Sequence, residues 1–253
     1  MNSEYPSCIS CPNSNCFINK YCSQHWRTLI DKKKEVGRYQ RKQVIFHEDN
    51  IVRGAYFIFT GKVKIYNTGK GGKEQIVRLV SSGELFGLRS DTETNYLVSS
   101  IALDDCVLCF IEKSLLDNML KENNDFAVQL LNFYIREMSF LELRLKHLVQ
   151  LSSAEKVAEA LLMMKKKYGV LSPKGILLDV RISRQDIADI AGTTGTEAIR
   201  VLAKFRQEKI IEDKGDKIVL LKHEKLLELL LMHCCEKDNQ YVNLSKCYTH
   251  VLG

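Results

Sequence analysis

The stretch from Asp125 to Leu151 contains neither glycine nor proline, and its apolar residues recur at steps of three and four. This spacing predicts one long amphipathic helix. The apolar positions of the seam are Leu130, Tyr134, Met138, Leu141, Leu145 and Leu148. A seam this narrow can pair with a copy of itself or pack on the chain's own domain. We favour a dimerisation helix that links two domains, and keep packing on the chain's own domain as the alternative.

Ahead of this helix, from about Val44 to Glu112, short apolar or alternating runs are separated by glycines. The run "YFIFTGKVKIY" has the alternation of two strands joined by a tight turn at Gly61. The runs "GGKEQIVRLV", "GELFGL" and "SSIALDDCVLCFI" add strands at the spacing of a small antiparallel barrel or sandwich. This half of the chain is predicted to be mostly β.

After another helix, closed by Gly169, comes the segment "ISRQDIADIAGTTGTEAIRVLAKFRQEKIIEDKGDKIVLL". Its apolar spacing predicts a short helix, a turn at Gly192 and a second helix, the layout of a helix-turn-helix. The buried positions expected are Ile187 and Ile190 in the first helix and Ala198, Val201, Leu202 and Phe205 in the second. The charged turn "EDKGDK" between two apolar runs predicts a β-hairpin wing.

A helix-turn-helix can be a structural corner, or it can bind DNA. Small hydroxyls and one long cation stand near the start of the second helix, where a groove-reading helix presents side chains to phosphates and base edges. The candidate DNA contacts are Thr193, Thr194, Thr196, Glu197, Arg200, Lys204 and Arg184. Arg200, Lys204 and Arg206 also fit a solvated helix face, Lys204 and Arg206 most of all. The net charge of +6 permits a nucleic-acid partner without requiring one.

Four of the nine cysteines lie between Pro6 and Cys22. The start of the chain lacks a basic segment followed by an apolar one, and no apolar run is long enough to span a membrane, so we expect a cytoplasmic protein without a membrane partner. An odd number of cysteines in a reducing compartment is a poor disulfide framework. The clustered thiols therefore favour a metal or cluster site.

The spacing Cys8-x2-Cys11-x4-Cys16-x5-Cys22 places two thiolates within reach of one metal and leaves loops that can wrap around it. Three interpretations stay open: a [4Fe-4S] cluster, a structural zinc ion, or free thiols. Cys109 lies in an apolar strand, where a free cysteine is commonly a small buried hydrophobe.

The order of β-domain, long helix and winged helix-turn-helix resembles the CRP/FNR family of transcription regulators over nearly all of residues 44–221. "ISRQDIADIAG" followed by Arg200 is similar to the family's DNA-binding signature, and "GELFGL" is similar to the turn ahead of its effector pocket. The resemblance implies an α+β chain with a cyclic-nucleotide-binding-like jelly-roll barrel. It also implies a homodimer that binds a pseudo-palindromic site on double-stranded DNA, with RNA polymerase as a partner.

Two departures limit what the resemblance carries over. Members that bind cyclic nucleotide have a glutamate where this chain has Leu88, and an arginine that "NYLVSS" does not supply, which argues against a cAMP sensor. The oxygen-sensing branch reads DNA with a Glu, a Ser and an Arg. Arg200 matches the last, but Thr196 and Ile199 replace the others, so the operator sequence should differ.

The oxygen-sensing branch holds a [4Fe-4S] cluster with N-terminal cysteines, including a C-x2-C-x5-C run, and one cysteine from the barrel. Cys109 matches the barrel ligand, with Cys106 three residues earlier. The x4 interval before Cys16 departs from the pattern. The ligands are then Cys8 and Cys11 with Cys109 and either Cys16 or Cys22, or the four N-terminal cysteines alone.

The sequence thus predicts five segments: a Cys-rich segment 1–25, a β-barrel sensor domain 26–122, a dimerisation helix 123–151, a winged helix-turn-helix 152–230 and a tail 231–253. No nucleophile, base and orienting group stand out as a set, so we expect a regulator and not an enzyme. Two alternatives are a regulator that senses a small ligand in the barrel, with a zinc-bound or metal-free N-terminus, and a receptor module that does not bind DNA.

Overall fold

The structure, a computed structural model, describes residues 6–89 and 94–235, with side chains up to residue 230. The chain divides into two compact units, Met1–Glu137 and Met138–Gly253. The predicted tail lies mostly outside the described residues, and so does part of the loop that follows "GELFGL". The division between the units falls inside the long helix, because its two halves pack on different neighbours.

The first unit begins with two short helices that the sequence analysis did not predict, α1 (Phe17–Tyr21) and α2 (Gln24–Lys33). The Ser23 hydroxyl caps α2 by accepting a hydrogen bond from the backbone N–H of Trp26. Phe17, Ile18, Trp26 and Ile30 are buried in one core cluster with residues of the β-domain. The Cys-rich segment is therefore packed into the first unit.

Eight strands form two four-stranded antiparallel sheets, an open jelly-roll sandwich and not a closed barrel. The first sheet has the order β1-β8-β3-β6, and the second has the order β2-β7-β4-β5. The strands are β1 (Glu35–Tyr39), β2 (Val44–Phe46), β3 (Gly54–Thr60), β4 (Lys62–Thr68), β5 (Glu74–Ser81), β6 (Leu85–Phe86), β7 (Ser99–Ala102) and β8 (Cys106–Glu112). The prediction of a β-rich N-terminal half is confirmed.

The tight turn at Gly61 connects two sheets and does not close a hairpin. The two strands joined at Gly61 are confirmed, but they belong to different sheets: β3 pairs with β6 and β8, whereas β4 pairs with β5 and β7. Gly61 has a φ of 107°, and a Cβ there would lie 2.4 Å from Cys106 Sγ. The close approach of β8 therefore requires glycine at this corner, which sequence alternation alone does not reveal.

The helix α3 (Lys113–Glu122) leads into the long helix α4 (Asn124–Gln150). The predicted long helix is confirmed to within one residue at each end. Phe126 and Leu130, on one side of α4, pack into the core of the first unit. The opposite side carries a row of exposed apolar residues.

The second unit is a winged helix-turn-helix built on α5 (Ser153–Tyr168), α6 (Arg184–Ala191) and α7 (Gly195–Gln207). Its four-stranded sheet has the order β11-β12-β10-β9. The strands are β9 (Gly169–Ser172), β10 (Gly175–Leu178), β11 (Ile211–Lys214) and β12 (Lys217–Leu220), and α8 (His223–Cys235) follows. The predicted wing is confirmed as the β11–β12 hairpin, with Gly215 at a φ of 63° in its turn.

Candidate DNA-binding surface and cysteine site

The helix-turn-helix is defined by local capping at each of its corners. The side chains of Ser183 and Asp186 form a reciprocal capping box at the start of α6. Gly192 ends α6 in the left-handed region, at φ 65° and ψ 39°, as a glycine C-cap allows. The Thr194 hydroxyl then accepts a hydrogen bond of 3.2 Å from the Glu197 N–H and caps α7. Of the predicted DNA contacts, Thr194 therefore has a capping role, and Thr193 is half-buried in the turn.

One face of α7 is buried and the other is exposed. Ala198, Val201, Leu202 and Phe205 are buried, as the apolar spacing predicted. Thr196, Ile199, Arg200 and Lys204 are exposed on the opposite face. This amphipathic helix leaves a polar, hydroxyl-bearing surface that can enter a DNA groove.

The Arg200 side chain is held by the neighbouring turn of its own helix. Its Nε and Nη2 donate hydrogen bonds of 3.0 and 2.6 Å to the two carboxylate oxygens of Glu197. The hydrogen bond from Arg200 lowers the pKa of Glu197 below the usual carboxyl range. Glu197 therefore orients the guanidinium at the exposed surface of α7.

Arg184, another predicted DNA contact, is paired with the wing. Its guanidinium and that of Arg206 both donate to the carboxylate of Asp213 in β11. Arg181 forms a further exposed pair with Asp216, with 3.2 Å between Nε and Oδ2. These contacts tie the wing to both helices of the motif.

Four cysteines from two distant parts of the chain line one small cavity in the first unit. Cys8, Cys11 and Cys16 come from the N-terminal loop, and Cys109 comes from β8. The cavity volume is about 20 Å³, so a bound cluster would need the largely exposed loop from residue 8 to 16 to shift outwards. The structure thus brings together four of the five predicted metal-ligating cysteines.

The N-terminal loop is fixed to the β-sandwich next to this cavity. The Asn13 amide donates to the Phe59 carbonyl at 3.0 Å and to the Ser82 hydroxyl at 2.9 Å. The Phe17 N–H donates to the Gly83 carbonyl at 3.2 Å. A Cβ at Gly83 would lie 2.7 Å from the Asn15 backbone, so the first glycine of "GELFGL" permits the loop to pack here.

Cys22 and Cys106 lie outside the cavity. The Cys22 thiol is buried with its Sγ 3.4 Å from the Met119 sulfur, inside the apolar core. The Cys106 thiol donates to the Asp104 carbonyl at 3.1 Å and belongs to the other core cluster. Both residues therefore behave as small buried hydrophobes in this structure.

Burial dominates the electrostatics of three of the thiols that line the cavity. Burial raises the pKa of Cys109 to about 12, although the ammonium of Lys34 opposes this shift. Burial also raises the pKa of Cys8 and Cys16. Without a metal, Cys8, Cys16 and Cys109 are therefore protonated at neutral pH, and a bound metal would have to displace their protons.

Lys34 and Asp31 are site residues that sequence spacing did not single out. The Lys34 Nζ lies 3.3 Å from Cys8 Sγ and is paired with the Asp31 carboxylate. Asp31 also accepts a 2.7 Å hydrogen bond from the Cys8 N–H and a 2.9 Å bond from the Ser7 hydroxyl. A capped helix ending in "DKKK" beside a cysteine segment is the only signal that could have suggested them.

The distances between cysteine sulfurs bear on the kind of metal site that they could form. Among the described residues, no three cysteine sulfurs lie within 4.8 Å of one another. Thiolates on one zinc ion lie about 3.8 Å apart, given Zn–S bonds of about 2.3 Å and tetrahedral angles. The ligands of a [4Fe-4S] cluster are spaced more widely because each binds a different iron. The described cysteine sulfurs are therefore not gathered around a single ion position in this structure.

The exposed face of α4 does not coincide with the predicted seam at every position. Tyr134, Met138, Leu141 and Leu145 are exposed, and Leu148 is half-exposed. Leu130 is only 6% exposed and packs in the core of its own unit. The exposed row also includes Val128, Leu131, Ile135 and Val149.

Within the described part of the chain, no helix is long and apolar enough to cross a membrane.

Two family models match the chain in the order of its two units. A cyclic nucleotide-binding domain matches residues 36–123, and a Crp-like helix-turn-helix domain matches residues 155–229. Together the two models cover more than half of the chain. They coincide with the jelly-roll sandwich and with the winged helix-turn-helix.

Individual proteins show the same relationship along most of the chain. The regulatory protein HlyX of Actinobacillus pleuropneumoniae is 25% identical over 84% of this chain and 91% of its own length. The fumarate and nitrate reduction regulatory protein of Vibrio cholerae is 26% identical over 79% of each chain.

Among solved structures, FixK2 from Bradyrhizobium japonicum superposes with a TM-score of 0.68 at 24% identity, over 78% of this chain and 96% of its own. That structure supports the fold. Both relatives are regulatory proteins, and the second family model is that of a Crp-like helix-turn-helix domain. The chain belongs to the CRP/FNR family of DNA-binding transcription regulators.

Proposed function

We propose that this regulator senses oxygen or redox state through a [4Fe-4S] cluster held by Cys8, Cys11, Cys16 and Cys109. The observation that carries the proposal is the meeting of these four thiols at one cavity, although Cys109 is separated from the others by most of the β-domain. Cys22 is excluded from the ligand set because its thiol lies in the apolar core against Met119. Bound there, a cluster would supply an oxygen-labile link between the loop and the sheet.

The chain's own residues prepare the cavity for thiolate ligands. The Lys34 ammonium, 3.3 Å from Cys8 Sγ, offsets part of the effect of burial, which raises the pKa of this thiol. Asp31 holds both the Lys34 side chain and the backbone at Cys8. Apolar neighbours, including Ile30, Phe57 and Ile111, limit the access of water from the sheet side.

We further propose a homodimer with α4 as its interface. Eight apolar side chains on α4 are at least one-third exposed, far more than a solvent-facing helix normally carries. Their spacing at three and four residues along a single helix suits pairing with the same face of a second copy. The exposed row differs from the predicted seam in that it lacks Leu130 and includes Val128, Leu131 and Ile135.

A dimer would present two copies of α7 to a pseudo-palindromic operator. In this proposal Arg200, Thr196 and Ile199 face the bases, and Arg184 and Lys204 lie nearer the phosphates. RNA polymerase would be the protein partner at promoters, in the cytoplasm. cAMP is not the expected effector because Leu88 replaces the ribose-binding glutamate and is partly buried against the core.

The test of the cluster compares two cysteine variants after strictly anaerobic purification. Cys109→Ser should lose the broad brown absorption together with iron and sulfide. The matched variant Cys22→Ser, at a buried position outside the cavity, should retain them. Colour that survives in Cys109→Ser but is lost in Cys22→Ser would contradict the proposed ligand set. Colourless protein with one zinc ion per chain would contradict the cluster itself.

A second candidate is a regulator that senses a small ligand within the β-domain. A separate cavity of about 560 Å³ is lined by Tyr39, Phe46, Tyr56 and Tyr96, with Arg53 at its edge. Its volume is within the range of ligand pockets, about 300–1,000 Å³. Metal-free protein that binds its operator with equal affinity in air and under anaerobic conditions would favour this candidate.

A further inference from the structure

Three buried ionisable side chains meet where α4 passes into α5. Arg144 Nη1 donates to Glu159 Oε2 at 2.6 Å, and His147 Nδ1 lies 2.5 Å from Glu159 Oε1. The exposed fractions are 6% for Arg144, 3% for His147 and 1% for Glu159. Both carboxylate oxygens of Glu159, on α5, are therefore occupied by partners from the last two turns of α4.

Arg144 also reaches the helix-turn-helix itself. Its Nη2 donates a 2.5 Å hydrogen bond to the backbone carbonyl of Ile190, in the last turn of α6. Carbonyls in the last turn of a helix have no partner within the helix, and a cation there is favoured by the helix dipole. Gly192 and the turn into α7 follow directly, so Arg144 is bonded to the backbone just ahead of the DNA-reading helix.

Stability alone is a poor explanation for this arrangement. Apolar side chains of similar volume usually stabilise a core as well as a buried ion pair, or better, because charges are costly to desolvate. A planar guanidinium that hydrogen-bonds to partners in two different helices fixes the relative orientation of those helices, which apolar contacts do not. The group fixes α5 and α6 relative to the end of α4 at a defined angle.

We propose that Arg144, His147 and Glu159 form a clasp, hereafter the α4–α5 clasp, that positions the helix-turn-helix on the end of α4 for operator binding. Arg144 is its central positioning residue because it alone contacts both Glu159 and Ile190. All members lie in the second compact unit. Any change in how α4 packs would therefore be passed to α6 and α7 through the clasp.

The test replaces the whole clasp by apolar residues. The variant Arg144→Met/His147→Leu/Glu159→Leu removes one positive and one negative charge, so its non-specific DNA binding should not change. Its affinity for a duplex that the unmodified protein selects from a random library should fall by about 5- to 150-fold, the usual range of a coupling between sites. Its melting temperature should equal or exceed that of the unmodified protein. The control Lys225→Met/Glu228→Leu removes an exposed pair on α8 and should bind normally.

Unchanged affinity of a folded clasp variant for the selected duplex would overturn the proposal. Should this variant fail to fold, Arg144→Lys tests the proposal instead. Lysine can keep the ion pair with Glu159, but it lacks the second guanidinium nitrogen that also reaches the Ile190 carbonyl. Arg144→Lys should melt near the unmodified protein and still lose selective binding. The proposal would equally be overturned if Arg144→Lys preferred the selected duplex over a scrambled one as strongly as the unmodified protein does.

Discussion

Phe17, the residue next to Cys16, stands edge-on to Phe133 of α4, with ring centroids 6.0 Å apart. Phe17 also makes an edge contact with Phe126, about two helical turns before Phe133, with ring centroids 5.3 Å apart. On its other side Phe133 lies under the Arg78 guanidinium, 5.0 Å from the ring centroid, and Arg78 Nε is 2.7 Å from Glu137 Oε2. The cysteine loop is thus in packing contact with the helix that we propose as the dimer interface.

Phe17→Leu should weaken the coupling between the cysteine site and DNA binding. Leucine keeps most of the buried volume but loses the aromatic pairs, each of which contributes about 0.5–1.5 kcal/mol. We expect unchanged iron content and a smaller ratio between anaerobic and aerobic operator affinities. Phe46→Leu, in the other core cluster, serves as the control because its ring stacks on Tyr96 and does not line the cysteine cavity. An unchanged ratio in Phe17→Leu would exclude this path.

Asp31→Asn should destabilise the first unit and loosen the Cys8 backbone. Despite partial burial, hydrogen bonds from Lys34, Cys8 and Ser7 lower the pKa of Asp31 below its ordinary value of 3.8. A carboxyl with a lowered folded-state pKa contributes stability that is present above the ordinary value and lost as pH falls through the lowered one. Hydrogen bonds to charged groups contribute about 1.5–3 kcal/mol.

Denaturant unfolding at pH 7 and pH 3 measures this contribution. The difference in unfolding free energy between Asp31→Asn and the unmodified protein should be largest at pH 7 and smaller at pH 3. Asp117→Asn, which removes a looser surface pair of 3.9 Å with Lys113, is the matched control. A pH-independent difference would show that Asp31 acts through shape and not through its charge.

Local periodicity predicted the elements that depend on local contacts. The long helix and the two helices of the motif follow from apolar spacing, and the wing follows from a charged turn between apolar runs. The partner strands of β3 and β4 could not be predicted in this way. The corner at Gly61, which sends these two strands into different sheets, is set by the distant Cys106. Strand pairing is a non-local choice, which alternation within one strand does not specify.

The cysteine site shows the same limit. Spacing identified the candidate thiols but could not separate Cys16 from Cys22, since both lie at loop distances from Cys11. The distinction depends on α1, whose Phe17 and Ile18 pack on the sheet and turn Cys22 towards Met119. The α4–α5 clasp was likewise hidden, because Arg144 and Glu159 are ordinary charged residues in helical sequences.

Leu141→Lys with Leu145→Lys should convert the proposed dimer into folded monomers. Both side chains are exposed in the single chain, at 46% and 66%, so the substitutions should not disturb its fold. In a paired α4 they would bury like charges against each other. Sedimentation measures the mass, and circular dichroism checks the fold. Leu171→Lys, at a residue on β9 that is 93% exposed, should leave the mass unchanged. A double variant that sediments as a dimer would place the interface elsewhere.

Arg200→Ala should reduce binding to the selected operator more than binding to random DNA. A bidentate contact between arginine and guanine is the commonest specific contact in the major groove, and its loss corresponds to about 5- to 150-fold in discrimination.

Glu197→Gln should have a smaller effect in the same direction, because Glu197 orients the Arg200 guanidinium through two hydrogen bonds. Lys225→Ala removes an exposed cation from α8 and controls for the loss of charge. Affinities are measured over a range of salt concentrations, since the loss of a phosphate contact reduces the slope of the salt dependence, whereas the loss of a base contact leaves the slope nearly unchanged. An equal loss on operator and random duplexes, with a reduced slope, would show that Arg200 contacts only phosphate.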